Sequence, residues 1–386
     1  MDELANPYRP GAGTTPPALL GRDDLIRGFT TTLQRAKSGR PGKSVMPVGL
    51  RGVGKTVLLN RFAAIGETNG FATAAIEAND SGGFPTLLAV RLRKILLNLD
   101  KGPVSRMVAR ALRVLKSFTL RLPDGSTIEI DPEPLIGEAD SGRLDDDLTD
   151  LLVAVGEAAR DRERGVLLSV DEVQYLSEEE LSALIVAIHR TTQLDLPLVL
   201  VGAGLPQLPG LAGEARSYSE RLFEFPEIGS LDAQDARAAL EIPARAADVA
   251  FTPEALDELV EASQGYPYFL QEWGFHVWNH ANASPIPVED VRAVRPVVLA
   301  ALDRDFFRVR LDRLTPKERE YLRAMAELGP GPHRSGDIAS ALGVRVESMG
   351  PRRSGLIRKG MIYSPAHGDT AFTVPLFDEF LKRVMP

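Results

Sequence analysis

Hydrophobic residues recur along this chain with two different periods up to about residue 230, and mainly with the helical one beyond it. Leu25, Ile26, Phe29 and Leu33 fall at helical spacing, and Ser44–Val48 then reads as a short strand. Thr56–Ile65 is again helical, Phe71–Glu77 is a strand, and Phe84–Leu99 is an amphipathic helix with its apolar face at Leu87, Leu88, Val90, Leu92, Ile95, Leu96 and Leu99. Asp145–Arg160 and Glu178–Arg190 predict long helices. Between and after them, Val166–Val170 and Leu196–Gly202 are unbroken apolar runs, the mark of strands buried on both faces. Phe223–Pro226 is a candidate edge strand. Strands alternating with helices predict a parallel sheet joined by crossover helices.

One stretch interrupts the alternation. Pro103–Lys116 predicts a helix, and Phe118–Leu122 and Thr127–Ile130 flank Pro123-Asp124-Gly125-Ser126 as a hairpin would. The expectation is an inserted helix and hairpin over about 101–131. After Ser230 the strands stop, and Ala233–Leu240, Pro253–Ala262, Tyr268–His280 and Val288–Phe307 predict a helical lid. Pro316–Leu328, Ser335–Leu342 and Glu347–Lys359 then predict three helices, with Met361–Ser364 and Thr370–Val374 a hairpin around Ala366–Asp369: the outline of a winged helix-turn-helix. The expected order is an extended arm over 1–20, an α/β core over 21–230, a lid over 231–310 and a winged helix over 311–386.

Composition narrows the chemistry. The chain has 386 residues and no cysteine, which removes thiolate metal sites and cysteine nucleophiles and fits a reducing cytoplasm. The opening residues are acidic and rich in Pro and Gly, so no secretory leader is expected, and no apolar run is long enough to predict a membrane helix. A net charge of −8 argues against bulk nucleic-acid binding; any DNA contact must come from a local basic surface. The histidines offer no metal site: His276 and His280 are four apart, but no glutamate follows His276 as in a metalloprotease pair.

The chemistry-bearing motif is GLRGVGKT, which fills G-x-x-x-x-G-K-[ST] between a predicted strand and a predicted helix. Gly49, Gly52 and Gly54 permit backbone angles closed to other residues, so that consecutive N–H groups can face phosphates at a helix N-terminus. Leu50, Arg51, Val53 and Val57 complete the loop and its exit. Lys55 would reach the β- and γ-phosphates of ATP, and Thr56 would hold Mg²⁺. A second motif, VLLSVDEVQYL, delivers Asp171 and Glu172 to the carboxyl end of a buried strand. Asp171 would hold Mg²⁺ with Thr56, and Glu172 would act as general base on the attacking water.

This pairing of motifs, followed by a lid and a winged helix, resembles the AAA+ ATPases, in particular the archaeal origin-recognition initiators and the neighbouring STAND-type signalling ATPases. The resemblance runs from about Pro17 to the C-terminus. It implies that PPALLGRDDLI places Leu19, Leu20, Gly21 and Arg22 near adenine; an ordinary helix entry is the competing reading. It implies an arginine finger, acting in trans in a homo-oligomer, at Arg221 or alternatively Arg216, against the reading of a plain surface arginine. Two positions depart from the family pattern. Ala203 and Gly204 stand where a polar sensor is usual, with Gln207 the nearby polar residue, and Tyr268 of GYPYFLQ stands where the lid arginine is usual. Such departures suit a slow nucleotide-controlled switch.

What the switch would control divides two ways. Arg352, Arg353, Arg358 and Lys359 on the expected third helix, with His367 and Asp369 on the wing, could contact duplex DNA. Alternatively the winged helix docks on protein, and ATP drives self-association or partner capture. The basic run Lys101, Arg106, Arg110, Arg113, Lys116 and Arg121 is either a contact element or a solvated helix face.

Overall fold

The computed structural model describes residues 1–386 except 12, 80–82, 100–104, 121–132, 367 and 386. Contacts divide the chain into two compact units, one of 23–48 with 58–227, the other of 1–22, 49–57 and 228–386.

The first unit is built on a five-stranded parallel sheet. In chain order its elements are α1 (Asp23–Lys37), β1 (Ser44–Val45), α2 (Lys55–Thr68, shared with the loop before it), β2 (Phe71–Glu77), α3 (Phe84–Leu99), α4 (Arg106–Thr119), α5 (Leu144–Asp161), β3 (Gly165–Asp171), α6 (Glu178–Gln193), β4 (Leu198–Gly202), α7 (Leu208–Ala215), α8 (Ser219–Leu222) and β5 (Phe223–Glu224). The strand order is β2-β3-β4-β1-β5, in register at Ala74↔Leu168, Ser169↔Val201 and Val45↔Val201. The apolar run predicted for β3 is buried along its length until Asp171, as its central position requires. Bridges from Val48 to Gly204 and Glu227 carry the strand line beyond β1, so Val48 hands the chain to Gly49 at the carboxyl edge of the sheet.

The expected insertion is half structural filler. The face of α4 formed by Val108, Ala111, Val114, Leu115 and Phe118 joins the core shared by α3, α5 and the sheet. Arg110 is tied to Glu138 at 2.7 Å and Glu157 at 2.6 Å, and Arg113 donates to the Glu133 carbonyl. The helix runs on through Thr119, correcting the strand expected from Phe118: burying that ring in the helical core outweighs the β-propensity of Phe-Thr. The hairpin turn, the second strand, Lys101 and Arg121 lie outside the described residues. Asp147, 3% exposed, accepts from the N–H groups of Ser141 and Gly142 and from the Ser141 hydroxyl, fixing the entry to α5.

The second unit is helical with one small sheet. It contains α9 (Ala233–Arg245), α10 (Pro253–Ser263), α11 (Pro267–His280) and α12 (Val288–Ala301). The helix predicted to end at Phe307 becomes a π-helical stretch, Leu302–Arg308, closed by α13 (Val309–Leu311). Then come α14 (Pro316–Glu327), β6 (His333–Arg334), α15 (Ser335–Leu342), α16 (Gly350–Arg358), β7 (Ile362–Tyr363), β8 (Asp369–Phe372) and α17 (Phe377–Val384). The strands form an antiparallel sheet in the order β6-β8-β7. Gly350 and Pro351 do not break the third helix because they open it, where a proline lacks no needed N–H.

The N-terminal arm is anchored to this unit. Tyr8 is buried against Gly274, where a Cβ would lie 2.6 Å from its ring, and its hydroxyl donates to the Leu240 carbonyl at 2.6 Å. Asn6 donates to the Phe275 carbonyl, and the Trp278 indole donates to the Asp2 carbonyl.

In the first unit Phe62 is fully buried with its ring 4.1 Å from that of Phe29, which fastens α1 to α2. Phe62→Ala is expected to lower unfolding free energy by about 3–5 kcal/mol, read as a reduced urea midpoint with an unchanged slope.

Candidate functional site

The glycine loop is shaped by what its glycines lack. A Cβ on Gly49 would stand 2.1 Å from the Ile228 carbonyl oxygen, so only glycine fits. Gly52 and Gly54 adopt φ of +89° and +93°, which a side chain would strain. Among the described residues, the two flanking ones aside, no heavy atom lies within 4 Å of a Cβ built on Gly54. Lys55, 6% exposed at the start of α2, turns back over the loop. Its ammonium donates to the carbonyls of Gly49 at 2.9 Å and Leu50 at 2.8 Å. Val53 is buried and packs toward Gly49, Val57 is buried in the first turn, and Thr56 is exposed there.

The same loop is gripped by its own unit. The Arg51 N–H donates to the Thr373 carbonyl at 3.1 Å and its Nε to the Gly360 carbonyl at 3.3 Å. The Tyr266 hydroxyl donates to the Arg51 carbonyl, and the Tyr268 N–H donates to the Gly52 carbonyl at 3.2 Å. A Cβ on Gly52 would meet Tyr266 at 3.1 Å, Tyr268 at 3.3 Å and Phe306 at 3.5 Å. Tyr268 is stacked on Phe306 at 4.5 Å, with burial, then Glu272 and Asp305, pushing its phenol up to about 12. Tyr268 therefore meets the loop through its backbone.

A cation does stand nearby, from a different element. The Arg310 guanidinium lies 4.1 Å over the Phe306 ring and donates to the Phe306 carbonyl. Burial first, and the charge of Arg51 next, hold it down at about 10. Among the described residues no carboxylate pairs with it.

In the first unit, Asp171 ends β3 and accepts from the Glu172 N–H at 2.9 Å. Glu172 sits in the left-handed region, φ 53° and ψ 41°, a strained conformation for a residue with a Cβ. The chain is held there by Val173 N–H to the Ala203 carbonyl and Ala203 N–H to the Val170 carbonyl, both 2.9 Å. Gln174 reaches back, donating its amide to the Glu172 carboxylate while its oxygen accepts from the Leu205 N–H at 3.0 Å. The polar side chain beside Ala203 and Gly204 is thus Gln174. Gln207, the polar residue expected there from the sequence, does not take this place; among the described residues its buried amide oxygen has no hydrogen-bond partner. The Q of DEVQ, three residues after Asp171, was the available signal.

The remaining candidates separate. Gly21, φ +67°, lies under Asp235 and Leu231, and Leu20 is partly buried. Arg22 donates to the Gly229 carbonyl at 2.8 Å; burial lowers its pKa and Asp235 opposes this. Arg216 is engaged by Asp145 at 3.5 Å, while Arg221 in α8 is exposed with no side-chain partner among the described residues. On α16 and after it, Arg353 donates to Thr370, Ser364 and the Asp369 carbonyl, and Lys359 pairs with Glu318 at 2.7 Å. Arg352 is half-buried and Arg358 exposed; His367 lies outside the described residues. Among the described residues there is no group of three or more His, Cys, Asp or Glu that could hold a metal ion, and no helix is long and apolar enough to cross a membrane.

Comparison with known proteins agrees with this geometry. Residues 18–201 match the family model of the AAA ATPase domain, and residues 304–381 match a domain of unknown function. The parallel sheet, the glycine loop and the first match define a P-loop nucleotide-binding ATPase domain of the AAA+ fold. Among solved structures the chain is similar to a Walker-type ATPase of Pyrococcus abyssi, at 16% identity and a TM-score of 0.55, over 97% of this chain and 98% of that one. Also similar are Cdc6p from Pyrobaculum aerophilum (15% identity, TM-score 0.47, 100% and 99% covered) and the RuvB Holliday junction branch migration motor of Thermotoga maritima (17%, 0.45, 91% and 92%). A search of curated protein sequences finds no match.

Arg310 yields a pH-dependent expectation. Its folded-state pKa is lowered, so its charge opposes folding below about pH 10, and the penalty lifts as pH rises through that value. Arg310→Met is expected to raise the thermal midpoint of the nucleotide-free chain near neutral pH, and to raise it less at pH about 11, as followed by circular dichroism.

Proposed function

We propose that the chain is an ATP-binding and ATP-cleaving switch whose nucleotide state is passed to its C-terminal helices and small sheet. The observation that carries this reading is the grip on the glycine loop: Thr373, Gly360, Tyr266 and Tyr268 all bond to Arg51 or Gly52. A loop that wraps phosphates must settle its backbone around them. A backbone also bonded to the C-terminal segment transmits that change.

In this reading the phosphates enter beside Gly54, and Lys55 exchanges its two carbonyl partners for phosphate oxygens. Arg310 and Arg51, cations drawn together, accept the terminal phosphate in place of the arginine absent at Tyr268. Leu20, Gly21 and Arg22 border the base. Thr56 and Asp171 offer oxygen donors of the kind that would hold Mg²⁺. The chemistry that magnesium supplies when bound is neutralisation of charge on the phosphates. Glu172 takes the proton of the attacking water, whose oxygen bonds to the γ-phosphorus as the bond to the β–γ bridging oxygen breaks and ADP leaves with that electron pair.

The three helices α14, α15 and α16 with the β6-β8-β7 sheet support reading the C-terminal segment as a winged helix. Of its outputs, self-association or protein docking is favoured over duplex DNA. Two of the four cations meant for DNA, Arg353 and Lys359, spend their N–H groups inside the segment. Exposed Arg221 is the residue available to a neighbouring copy as a finger in trans.

Lys55→Ala is expected to lose ATP binding by calorimetry, and Glu172→Gln to keep it while losing hydrolysis. Light scattering of the full chain with a non-hydrolysable ATP analogue is expected to show a larger species than without it. Retardation of duplex DNA at low salt, with no change in size, would instead select the DNA reading.

A further inference from the structure

The turn after β3 holds a contact that the proposed chemistry does not yet use. Gln174 lies in the single 3₁₀ turn Val173–Tyr175 that follows Glu172. A backbone N–H can only donate, so the Leu205 N–H at 3.0 Å fixes the Gln174 amide oxygen toward the end of β4. That leaves the amide NH₂ facing Glu172, to which it donates. Gly204 is what makes the room: a Cβ there would lie 2.7 Å from the Gln174 oxygen and 2.9 Å from Leu208. The position where a polar side chain was expected therefore lacks one, and the space is filled by an amide arriving from the neighbouring strand.

We propose that Gln174 is the positioning residue of the hydrolytic base, linking the end of β4 to the Glu172 carboxylate. The proposal rests on the reading that ATP is cleaved with Glu172 as base. Glu172 starts from a strained backbone, and a glutamate has three side-chain torsions to fix. Donation from Gln174 to one carboxylate oxygen restricts the rotamers open to the base. Because the far end of the same amide is bonded to Leu205, displacement of the loop after β4 displaces Glu172 as well. Gln174 touches no reacting atom; it acts through Glu172.

The test uses the full chain, with the ATP dissociation constant and the single-turnover cleavage rate measured separately. Gln174→Leu keeps volume without hydrogen bonds, and Gln174→Glu keeps shape without a donor. Both are expected to bind ATP within about two-fold of wild type and to cleave it about 100-fold more slowly, the scale of a misplaced catalytic group. Gly204→Ala, which leaves Gln174 chemically intact but crowds it, is expected to slow cleavage in the same sense with binding kept. Wild-type cleavage rates in Gln174→Leu and Gln174→Glu, alongside an inactive Glu172→Gln, overturn this proposal alone. Normal turnover by Glu172→Gln overturns the underlying reading and this proposal with it. If the Gln174 variants lose binding and cleavage in equal measure, the role is structural and the proposal fails. If they do not fold, Gly204→Ala decides: unchanged turnover overturns the proposal.

Discussion

Everything distinctive about this chain depends on Arg51 and Gly52 being bonded to residues over two hundred positions away. Tyr266, Tyr268, Gly360 and Thr373 all reach this one dipeptide. The contact is possible because Gly52 has no side chain; a single Cβ would press on Tyr266, Tyr268 and Phe306 together. A peptide hydrogen bond is individually modest, about 1 kcal/mol net. Its leverage here comes from location, because the groups it restrains belong to the glycine loop.

Beyond that dipeptide the coupling has a physical body. Phe306 carries Tyr268 and Arg310 on its ring. Its neighbour Phe307 packs on Phe380 at 5.1 Å and Phe377 at 5.8 Å, and Arg383 pairs with Asp303. Loop, π-helical stretch and C-terminal helix α17 therefore form one chain of contacts within one unit. Such a chain of rings and hydrogen bonds carries a two-state element only if both arrangements are packed.

Much of the fold was legible because burial imposes period. The unbroken apolar run of β3 could hardly be anything but a central strand, and the glycine loop is defined by residues whose absence of side chain is itself the signal. What escaped the sequence had no period to betray it. The contact of Gln174 with Leu205 spans thirty-one positions and depends on the vacancy at Gly204. The short helices α7 and α8 are rich in Gly, Pro and Ser, and propensity gives them no voice. Phe118 looked like strand and proved helical because core packing outweighed local preference. Arg353 and Lys359 looked like a reading surface, but whether an arginine faces outward cannot be told from its type.

The π-helical stretch Leu302–Arg308 sets two adjacent rings to separate tasks, Phe306 toward Gly52 and Phe307 toward α17. In an α-helix neighbouring side chains are about 100° apart, and a π-turn adds one residue to a turn, resetting the phase of everything that follows. The spacing through this stretch is thus a fixed length of a different kind from a hydrophobic pattern. Side chains of like shape could stand in this stretch, but gaining or losing one residue between Ala301 and Val309 would turn the C-terminal aromatic cluster away from the rings that now meet it. Such chains would keep an intact glycine loop and an intact C-terminal segment with no mechanical conversation between them.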